Sequence, residues 1–301
     1  MLDTARSPSQ TQLERLFFID FRAYFLGEIR RADITARFGV ETAAASRDIA
    51  LYRERGGKIT LENSSKVYLP DADFVPLYTH SVNGVFTALS QGFGEGVHQQ
   101  FHSLVPCEIP RQLNSPALAV IAAVSRAIHR KTVLQIEYHS FSSGHTTRDI
   151  VPLALANTGS RWHVRAYDRR RKRFTDFVLT RIKNPKELPE ELVQEHEYLL
   201  NDIQWNRIVE LEIVPHPASS HPEIIKMDYD MVDGRLEVKV RASLAGYFLR
   251  QWDVDCSSDH SRGPRSNGAE GNEAVRLWLK NYLALYGVET AKLAPGYKVP
   301  E

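Results

Sequence analysis

The chain has 301 residues, and because a typical domain has about 100 to 200 residues we expect two or three globular units rather than one. Hydrophobic residues make up 43% and charged residues 25%, a composition that excludes wholesale disorder. No apolar run approaches the roughly 18 to 20 residues that cross a bilayer, and the N-terminal segment lacks the apolar stretch of a secretory signal. Cys107 and Cys256 form neither a CxxC pair nor a disulfide framework, so we expect a cytoplasmic protein.

The net charge is only +1, but charge is distributed unevenly along the chain. Residues 126–183 hold 13 Lys and Arg against 4 Asp and Glu, whereas residues 184–301 hold 13 against 20. This asymmetry favours a middle domain that holds an anion beside an acidic domain with a different role. Complementary packing between the two domains is the alternative that the charges alone leave open.

The first 70 residues carry the pattern of a winged helix-turn-helix. Apolar side chains recur at helical spacing from Gln10 to Leu26, and two further helical segments, 32–38 and 42–55, meet at Gly39. Gly39 suits the left-handed position that ends a helix. Candidate N-caps are Ser9 or Thr11 for the first helix and Thr42 for the third. Alternation on both sides of a polar turn between Lys58 and Leu69 predicts a β-hairpin wing.

In such a unit the second helix of the motif enters the major groove with its N-terminal residues at the base edges, while the wing contacts phosphates. Arg47 suits a bidentate contact to guanine, which discriminates bases by about 1 to 3 kcal/mol. The predicted DNA-binding residues are Thr42, Ala43, Ala44, Ser46, Arg47, Arg53, Lys58, Ser64, Ser65 and Lys66. The alternative is a winged helix used for protein contacts or dimerisation, because residues 1–70 hold 11 basic against 9 acidic side chains.

Residues 71–116 contain scattered Pro and Gly and predict a short helix followed by a connector. Gly92, Gly94 and Gly96 follow no strand, so they match a dinucleotide-binding GxGxxG motif only weakly. His98 and His102 have the spacing of a metal pair on a helix, but no nearby third ligand completes a zinc site. We therefore expect a turn here and no metal.

Helical spacing returns from Ala117 to His129, and strand-like segments follow. The predicted strands are 132–139, 147–155, 161–167 and 174–181. Alternation on the third strand places Trp162, Val164 and Ala166 on one face. The opposite face is unusually polar and carries His163, Arg165 and Tyr167. Four or five short strands of this kind predict a small barrel.

Three motifs in this region together resemble a WYL domain: YHSFSSG at 138–144, RWHVRAYD at 161–168 and RFTDFVLTRI at 173–182. More narrowly, the chain resembles the phage-defence regulators of that family, the repressors associated with BREX and CBASS islands. The resemblance covers nearly the whole chain. It implies an α+β multidomain protein with an N-terminal winged helix-turn-helix, a central Sm-like or SH3-like WYL β-barrel and a small C-terminal α/β extension domain.

The tripeptide that names the family, Trp-Tyr-Leu, reads Trp162-His163-Val164 here. An imidazole in place of the phenol still hydrogen-bonds but titrates near neutrality, so we expect a departure in the ligand or in its pH response. The resemblance implies a nucleotide or nucleic-acid-derived effector. The candidate ligand-binding residues are Tyr138, Ser140, Ser142, Ser143, Arg148, His163, Arg165, Tyr167 and Arg181. The alternative is a structural hydrogen-bond cluster, and the 169–173 basic run is expected to be a solvated turn.

The C-terminal region predicts a small α/β unit, with strands at 208–214 and 235–242 and helices at 243–251 and 272–285. Its acidic character argues against direct DNA contact, and the resemblance implies a role in dimerisation. The expected domains are a winged helix at 1–95, a linker helix at 96–125, a WYL ligand-sensing domain at 126–200 and an extension or dimerisation domain at 201–301.

Catalysis has no positive evidence, because the sequence contains no GxSxG elbow, no Walker motif and no recognisable Cys/His nucleophile. A polar cluster mixes hard and soft metal ligands and predicts an exposed loop: Asp253, Asp255, Cys256, Asp259 and His260. We expect neither enzyme activity nor a cofactor. The leading hypothesis is a homodimeric repressor that binds a palindromic double-stranded operator and is released by an effector. The alternatives are a non-sequence-specific nucleic-acid-binding accessory protein of a defence or repair system, and an enzyme acting on nucleotides.

Overall fold

The computed structural model describes residues 8–93, 104–107, 113–264 and 275–299. The chain divides into two compact units, Met1–Pro110 and Arg111–Glu301. Within the described ranges, no helix is long and apolar enough to span a bilayer. Gly94, Gly96 and the predicted histidine pair, His98 and His102, lie outside the described residues.

The first unit has the predicted order of three helices and a hairpin, followed by a fourth helix. The elements are α1 Gln10–Leu26, α2 Arg31–Phe38, α3 Thr42–Glu54, β1 Ile59–Glu62, β2 Val67–Pro70 and α4 Val82–Gln91. Ser9 caps α1 by accepting a hydrogen bond from Gln12 N at 3.3 Å, and Gly39 ends α2 with a φ of 64°. The N-cap of α3 is Glu41 rather than Thr42, and Thr42 is the first helical residue.

A buried carboxylate organises the core of this unit. Asp20 on α1 accepts hydrogen bonds from Tyr52 Oη at 2.6 Å and from Leu77 N at 2.7 Å, and its other oxygen lies 2.7 Å from His80 Nε2. Both Asp20 and Tyr52 are fully buried. Because every oxygen of Asp20 has a partner, its burial is tolerated and the segment after the hairpin is held against α1 and α3.

The second unit is built on a five-stranded antiparallel sheet. Helix α5 Leu118–Arg130 precedes the strands, which are β3 Val133–Ser140, β4 Gly144–Asn157, β5 Trp162–Asp168, β6 Arg173–Val178 and β7 Ile182–Leu188. The strand order is β6-β5-β4-β3-β7. We call this the central sheet. Helix α5 packs on one face of it, and the buried residues there include Val124, Ile136 and Val164.

The closed Sm-like or SH3-like barrel predicted for this region is not found in the described residues. Strands β6 and β7 form the two edges of the central sheet, and the chain passes between them through a 3-10 turn, Leu179–Arg181, without pairing them. Strand β7 was not predicted as a strand. Its register shifts against β3 between Gln135 and Glu137, opposite Asn184 and Pro185. Proline lacks an N–H donor, which explains a bulge at this edge.

The C-terminal part forms a second, smaller sheet with its own core. Its strands, β8 Ile208–Pro215, β9 Leu236–Arg241 and β10 Leu277–Leu279, lie in the order β10-β8-β9. Its helices are α6 Ile203–Asn206, α7 Pro222–Asp228 and α8 Ala242–Gln251. The predicted strands at 208–214 and 235–242 and the helix at 243–251 are confirmed, whereas α7 was not predicted.

The helix predicted at 272–285 is wrong over its described residues. Leu277 to Leu279 form strand β10, which pairs antiparallel with Ile213 to Pro215, and a 3-10 turn follows at Tyr282–Leu285. Leu277 and Leu279 are both buried, with Trp278 half-buried between them. The apolar residues of this segment fit period two as well as helical spacing, and the pairing partner β8 decides between the two.

Candidate DNA-binding and ligand-binding sites

Helix α3 is held in place by an ion pair with α1. Asp48, which is 1% exposed, accepts hydrogen bonds from Arg15 Nε at 2.6 Å and from Gln12 Nε2 at 3.0 Å. Ala45 and Ile49 on the same helix are buried in the core. The buried side of α3 is therefore fixed to α1, and its opposite side is presented to solvent.

The predicted base-reading residues lie on that solvent side or beside it. Thr42, Ala43, Arg47 and Arg53 are exposed, and Ala44 and Ser46 are half-buried. Ser46 Oγ donates to the carbonyl oxygen of Thr42 at 2.9 Å, which occupies its hydroxyl proton within the helix. Arg47 has no ion-pair partner among the described residues, so its guanidinium is available to a ligand.

The predicted phosphate-binding residues lie on or next to the β1–β2 hairpin, and all of them are exposed. Lys58 forms an ion pair with Asp73, and the Ser65 hydroxyl hydrogen-bonds to Glu62. Lys66 occupies a left-handed turn position with a φ of 58°, and Ser64 precedes it by two residues. Lys58 must therefore give up its ion pair and Ser65 its hydrogen bond before they contact a phosphate, whereas Lys66 and Ser64 have no such interaction to give up among the described residues.

In the central sheet, Arg148 is buried and fully engaged by protein groups. Its guanidinium forms an ion pair with the buried Asp168, and Nε donates to Thr146 Oγ1 at 3.0 Å. Nη2 donates to Ser143 Oγ at 3.3 Å. The guanidinium also lies 5.9 Å from the centroid of the Tyr138 ring, and the Tyr138 hydroxyl accepts from Val178 N at 3.2 Å.

Arg165 makes a second buried ion-pair cluster. Its Nε lies 2.6 Å and its Nη2 3.0 Å from the two carboxylate oxygens of Asp202, and Nη1 lies 3.2 Å from Asp176 Oδ1. Burial raises the pKa of Asp176, although the charge of Arg165 and its hydrogen bond act in the opposite direction. One cation thus holds two carboxylates from different segments of the chain.

His163 is 5% exposed and packs against α8. Its ring centroid lies 5.2 Å from that of Tyr247, and Nδ1 lies 3.5 Å from Thr158 Oγ1. Burial lowers the pKa of His163 to about 4, and the neighbouring charges of Arg161 and Arg181 lower it further. The imidazole is therefore neutral at physiological pH, so the titration near neutrality that the sequence suggests is suppressed in the folded protein.

The other candidate ligand residues are distributed around these groups. Arg181 lies over the exposed Phe141 ring, 4.4 Å from its centroid. Ser140 and Ser142 hydrogen-bond to each other at 3.0 Å near the β3–β4 turn. Tyr167 packs against Phe174 at the far end of β5, with ring centroids 5.1 Å apart.

The candidate ligand residues do not form one pocket. Arg148 lies directly opposite Ile136 in the β3–β4 pair, so its side chain is on the face of the central sheet that α5 covers. Arg165 lies between Val164 and Ala166, which belong to that same core, and therefore points to the opposite face. The structure brings Arg148 together with Tyr138 and Ser143, and separates this group from His163 and Arg165.

Sequence reasoning missed the acidic partners Asp168, Asp176 and Asp202. Asp202 lies 37 residues after Arg165 in the chain, so no local pattern joins them. The sequence did contain a signal that such partners exist. Val164 and Ala166 indicate a buried strand, and Arg165 between them can be buried only if its charge is paired. Arg169 of the predicted solvated turn is likewise paired, to Glu197 at 2.8 Å and Glu191 at 3.0 Å.

The polar cluster at 253–260 differs from the predicted exposed loop. Asp255 and Cys256 are buried, and Asp255 accepts hydrogen bonds from the backbone N–H of Ser257 at 2.8 Å and of Arg262 at 3.1 Å. His216 Nε2 lies 3.2 Å from the same carboxylate. Backbone donors explain why this carboxylate is buried. In the part of the chain that the structure describes, no group of three or more His, Cys, Asp or Glu is placed to hold a metal ion.

Comparison with known protein families accounts for most of the chain. The winged helix-turn-helix domain of the BrxR transcriptional regulator matches residues 11–91, and the WYL domain matches residues 119–187. The C-terminal dimerization domain of the BrxR transcriptional regulator matches residues 208–284. The three matches follow one another without overlap.

Individual relatives span nearly the same length. The DNA-binding transcriptional repressor CapW of Escherichia coli (strain KTE188) is 28% identical over 288 residues, which cover 92% of this chain and 91% of that protein. CapW of Pseudomonas aeruginosa is 29% identical over 282 residues, covering 90% of this chain and 89% of that protein.

Among solved structures, Proteasome accessory factor B/C (PafBC) of Arthrobacter aurescens is 19% identical, with 82% of this chain and 46% of that chain covered and a TM-score of 0.24. This chain thus spans less than half the length of that protein, and the score is too low to establish a common arrangement. The three family matches, by contrast, follow one another along the chain in the order winged helix, WYL domain and dimerization domain. The chain therefore belongs to the WYL-domain transcriptional regulators, with the winged helix and the C-terminal dimerization domain of the BrxR type.

Proposed function

We propose that the protein is a homodimeric DNA-binding repressor that reads a palindromic operator with helix α3. The observation that carries this proposal is the division of α3 into a side anchored to α1 through Asp48 and a solvent side that bears Thr42, Ala43 and Arg47. Rigid anchoring is needed because base contacts depend on the position of a few side chains in the groove. The CapW relatives are named as DNA-binding transcriptional repressors, which supports the same function here.

The match of residues 208–284 to a dimerization domain supports the proposed dimeric state. A two-fold dimer presents two copies of α3, so the operator is expected to contain two inverted half-sites about one or two helical turns of DNA apart. Doubling the protein–DNA contact area also compensates for the nearly neutral charge of each winged-helix unit.

We further propose that the WYL domain senses a nucleotide or nucleic-acid-derived effector and that the effector releases the repressor from DNA. Such coupling requires the effector to bind the DNA-free conformation more tightly than the DNA-bound one. Of the expected domains at 1–95, 96–125, 126–200 and 201–301, the boundary at 125 falls within α5, which packs on the central sheet, so we propose that α5 belongs to the WYL domain. The BrxR-type domains and the CapW relatives favour a phage-defence locus, of the BREX or CBASS kind, as the regulated target.

The experiment that tests this function is an anisotropy titration of the full-length protein against the DNA upstream of its own gene, with scrambled DNA as competitor. A repressor is expected to prefer its site by about 10³-fold or more over bulk DNA. Equal, salt-sensitive binding to both DNAs would contradict the proposal and favour the accessory-protein alternative, in which nucleic acid is bound through its backbone alone.

A further inference from the structure

A cleft of about 460 Å³ lies between the turn that joins β4 to β5 and the C-terminal half of helix α8. Its volume lies within the range of about 300 to 1,000 Å³ that small-molecule sites occupy. Ser160 and Arg161 line it from the turn, His163 from strand β5, and Tyr247, Arg250 and Gln251 from α8. The cleft therefore combines residues of the WYL match with residues of the dimerization-domain match.

The walls of the cleft are fixed by local hydrogen bonds and close packing. Thr158 N and Thr158 Oγ1 both donate to the carbonyl oxygen of Arg161, at 3.0 Å and 3.1 Å. Gly159 has a φ of 81°, and a Cβ at this position would lie 2.5 Å from the Gln251 side chain. The positive φ favours glycine at this position, and the short distance shows that the turn lies directly against the Gln251 side chain of α8.

The cleft is positively charged. Arg161 and Arg250 are both exposed, and neither has an ion-pair partner among the residues that the structure describes. They differ in this respect from Arg148 and Arg165, whose guanidinium groups are buried and bonded to aspartates. None of the residues lining the cleft is acidic. Two guanidinium groups without ion-pair partners that border one cavity are suited to bind an anion.

The rear wall is aromatic. His163 is 5% exposed, and its ring lies against Tyr247 at a tilt of 46°. Because burial keeps the imidazole uncharged, with a pKa of about 4, this wall offers ring surface and hydrogen-bonding nitrogen rather than a third positive charge. Ring surface of this kind packs against planar bases, whereas guanidinium forks bind phosphate oxygens in pairs.

We propose that this cleft is the effector site and that it holds a phosphate group between Arg161 and Arg250, with the base of a nucleotide against Tyr247. The proposal rests on the effector-sensing part of the proposed function and moves its site away from Arg148 and Arg165. A ligand in this position contacts the central sheet and α8 together. Its binding free energy therefore acts directly on the junction between the WYL domain and the dimerization domain.

The test is a calorimetric titration of the full-length protein with three probes: inorganic pyrophosphate, AMP and a 5′-phosphorylated deoxytrinucleotide. At least one phosphate-bearing probe is expected to bind with one site per protomer. Arg161→Gln and Arg250→Gln are each expected to weaken that binding at least tenfold. Arg171→Gln is the matched control, because Arg171 is an exposed arginine in the β5–β6 turn at the other end of the same strand. Thermal unfolding of each variant checks its fold.

The three probes separate the sources of the phosphate. If pyrophosphate binds as tightly as AMP, the cleft is an anion site without base recognition, and the nucleotide assignment is overturned. Absence of binding by all three probes, or equal binding by the wild type and both cleft variants, would overturn the cleft itself. Operator affinity of the ligand-free protein, measured in parallel, tests the repressor function independently, so failure of one proposal does not conceal the outcome of the other.

Discussion

Arg165 and Asp202 form a two-point ion pair, with Nε 2.6 Å from Oδ2 and Nη2 3.0 Å from Oδ1. Both side chains are almost completely buried. Arg165 lies on β5 in the WYL match, whereas Asp202 caps helix α6 by accepting a hydrogen bond from Trp205 N at 3.1 Å. Helix α6 leads directly into β8, where the dimerization-domain match begins. This pair therefore ties the central sheet to the start of the C-terminal domain.

Asp202→Ala is expected to lower the free energy of unfolding by about 3 kcal/mol, because removal of one partner leaves a buried charge without its main counter-ion. Asp176, 3.2 Å from Arg165, compensates only in part. Urea denaturation of the full-length protein measures this loss in the unfolding transition of the second unit. Glu289→Ala is the control, since Glu289 is 60% exposed and lies 4.0 Å from the same guanidinium. A loss below about 1 kcal/mol for Asp202→Ala would mean that the pair contributes no more than a surface ion pair.

His163 predicts a dependence of stability on pH. Its pKa is about 4 in the folded protein against 6.5 in the unfolded chain, so the unfolded state binds the additional proton between these values. The contribution of His163 to stability is therefore present above pH 6.5 and is lost as the pH falls towards 4. At about 1.4 kcal/mol per pKa unit, the loss by pH 4.5 is about 2.5 kcal/mol.

His163→Phe is expected to remove this component of the pH dependence. Urea unfolding at pH 7 and at pH 4.5 gives the free energy of unfolding of the wild type and of the variant. The wild type is expected to lose more of it between the two pH values than the variant does. His129→Asn, at an exposed histidine on α5, is expected to leave the wild-type dependence unchanged. The same pH dependence in the wild type and in His163→Phe would show that other groups are responsible.

The helices of the first unit could be predicted from the sequence because their signals are local. Ser9 and Gly39 mark the ends of helices through their own backbone geometry, and the apolar spacing of α1 extends over four turns. The predicted helix at 272–285 was wrong because Leu277 and Leu279 become a strand only through pairing with β8, which is more than 60 residues earlier in the chain. Local periodicity carries no information about such a partner.

The candidate ligand site shows the same limit. The strand alternation of Arg165 and His163 correctly separated their face from that of Val164, but it gave no information on which face Arg148 occupies. That depends on the register between β3 and β4, where Arg148 lies opposite Ile136. The cleft residues on α8 were not predicted because they are more than 80 residues after the β4–β5 turn, in a domain with a net negative charge.

Gly246→Ala is expected to destabilise the C-terminal domain, although alanine is favoured over glycine within helices by about 1 kcal/mol. Gly246 lies within α8, and a Cβ there would be 1.8 Å from the carbonyl oxygen of Thr290. Backbone must shift to accommodate it, which costs about 1 to 3 kcal/mol or more. Thermal unfolding measures the effect, with Arg250→Ala on the exposed side of α8 as control. An increase in stability would contradict the close contact between α8 and the 290 region.

Arg47→Ala is expected to weaken operator binding by about 1 to 3 kcal/mol without loss of stability, because Arg47 is exposed on α3 and the variant removes a base contact rather than a core group. The specific signature is a lower preference for the operator over scrambled DNA, whereas loss of a phosphate contact such as Lys66→Ala weakens binding to both DNAs and reduces the dependence on salt. Anisotropy titrations at two salt concentrations distinguish these results.

Lys239→Ala, at an exposed position of the dimerization domain, is the control for charge alone. If Arg47→Ala lowers the affinity for both DNAs equally, Arg47 contacts the backbone, and base reading must be assigned to Thr42 or Ala43 at the start of the helix.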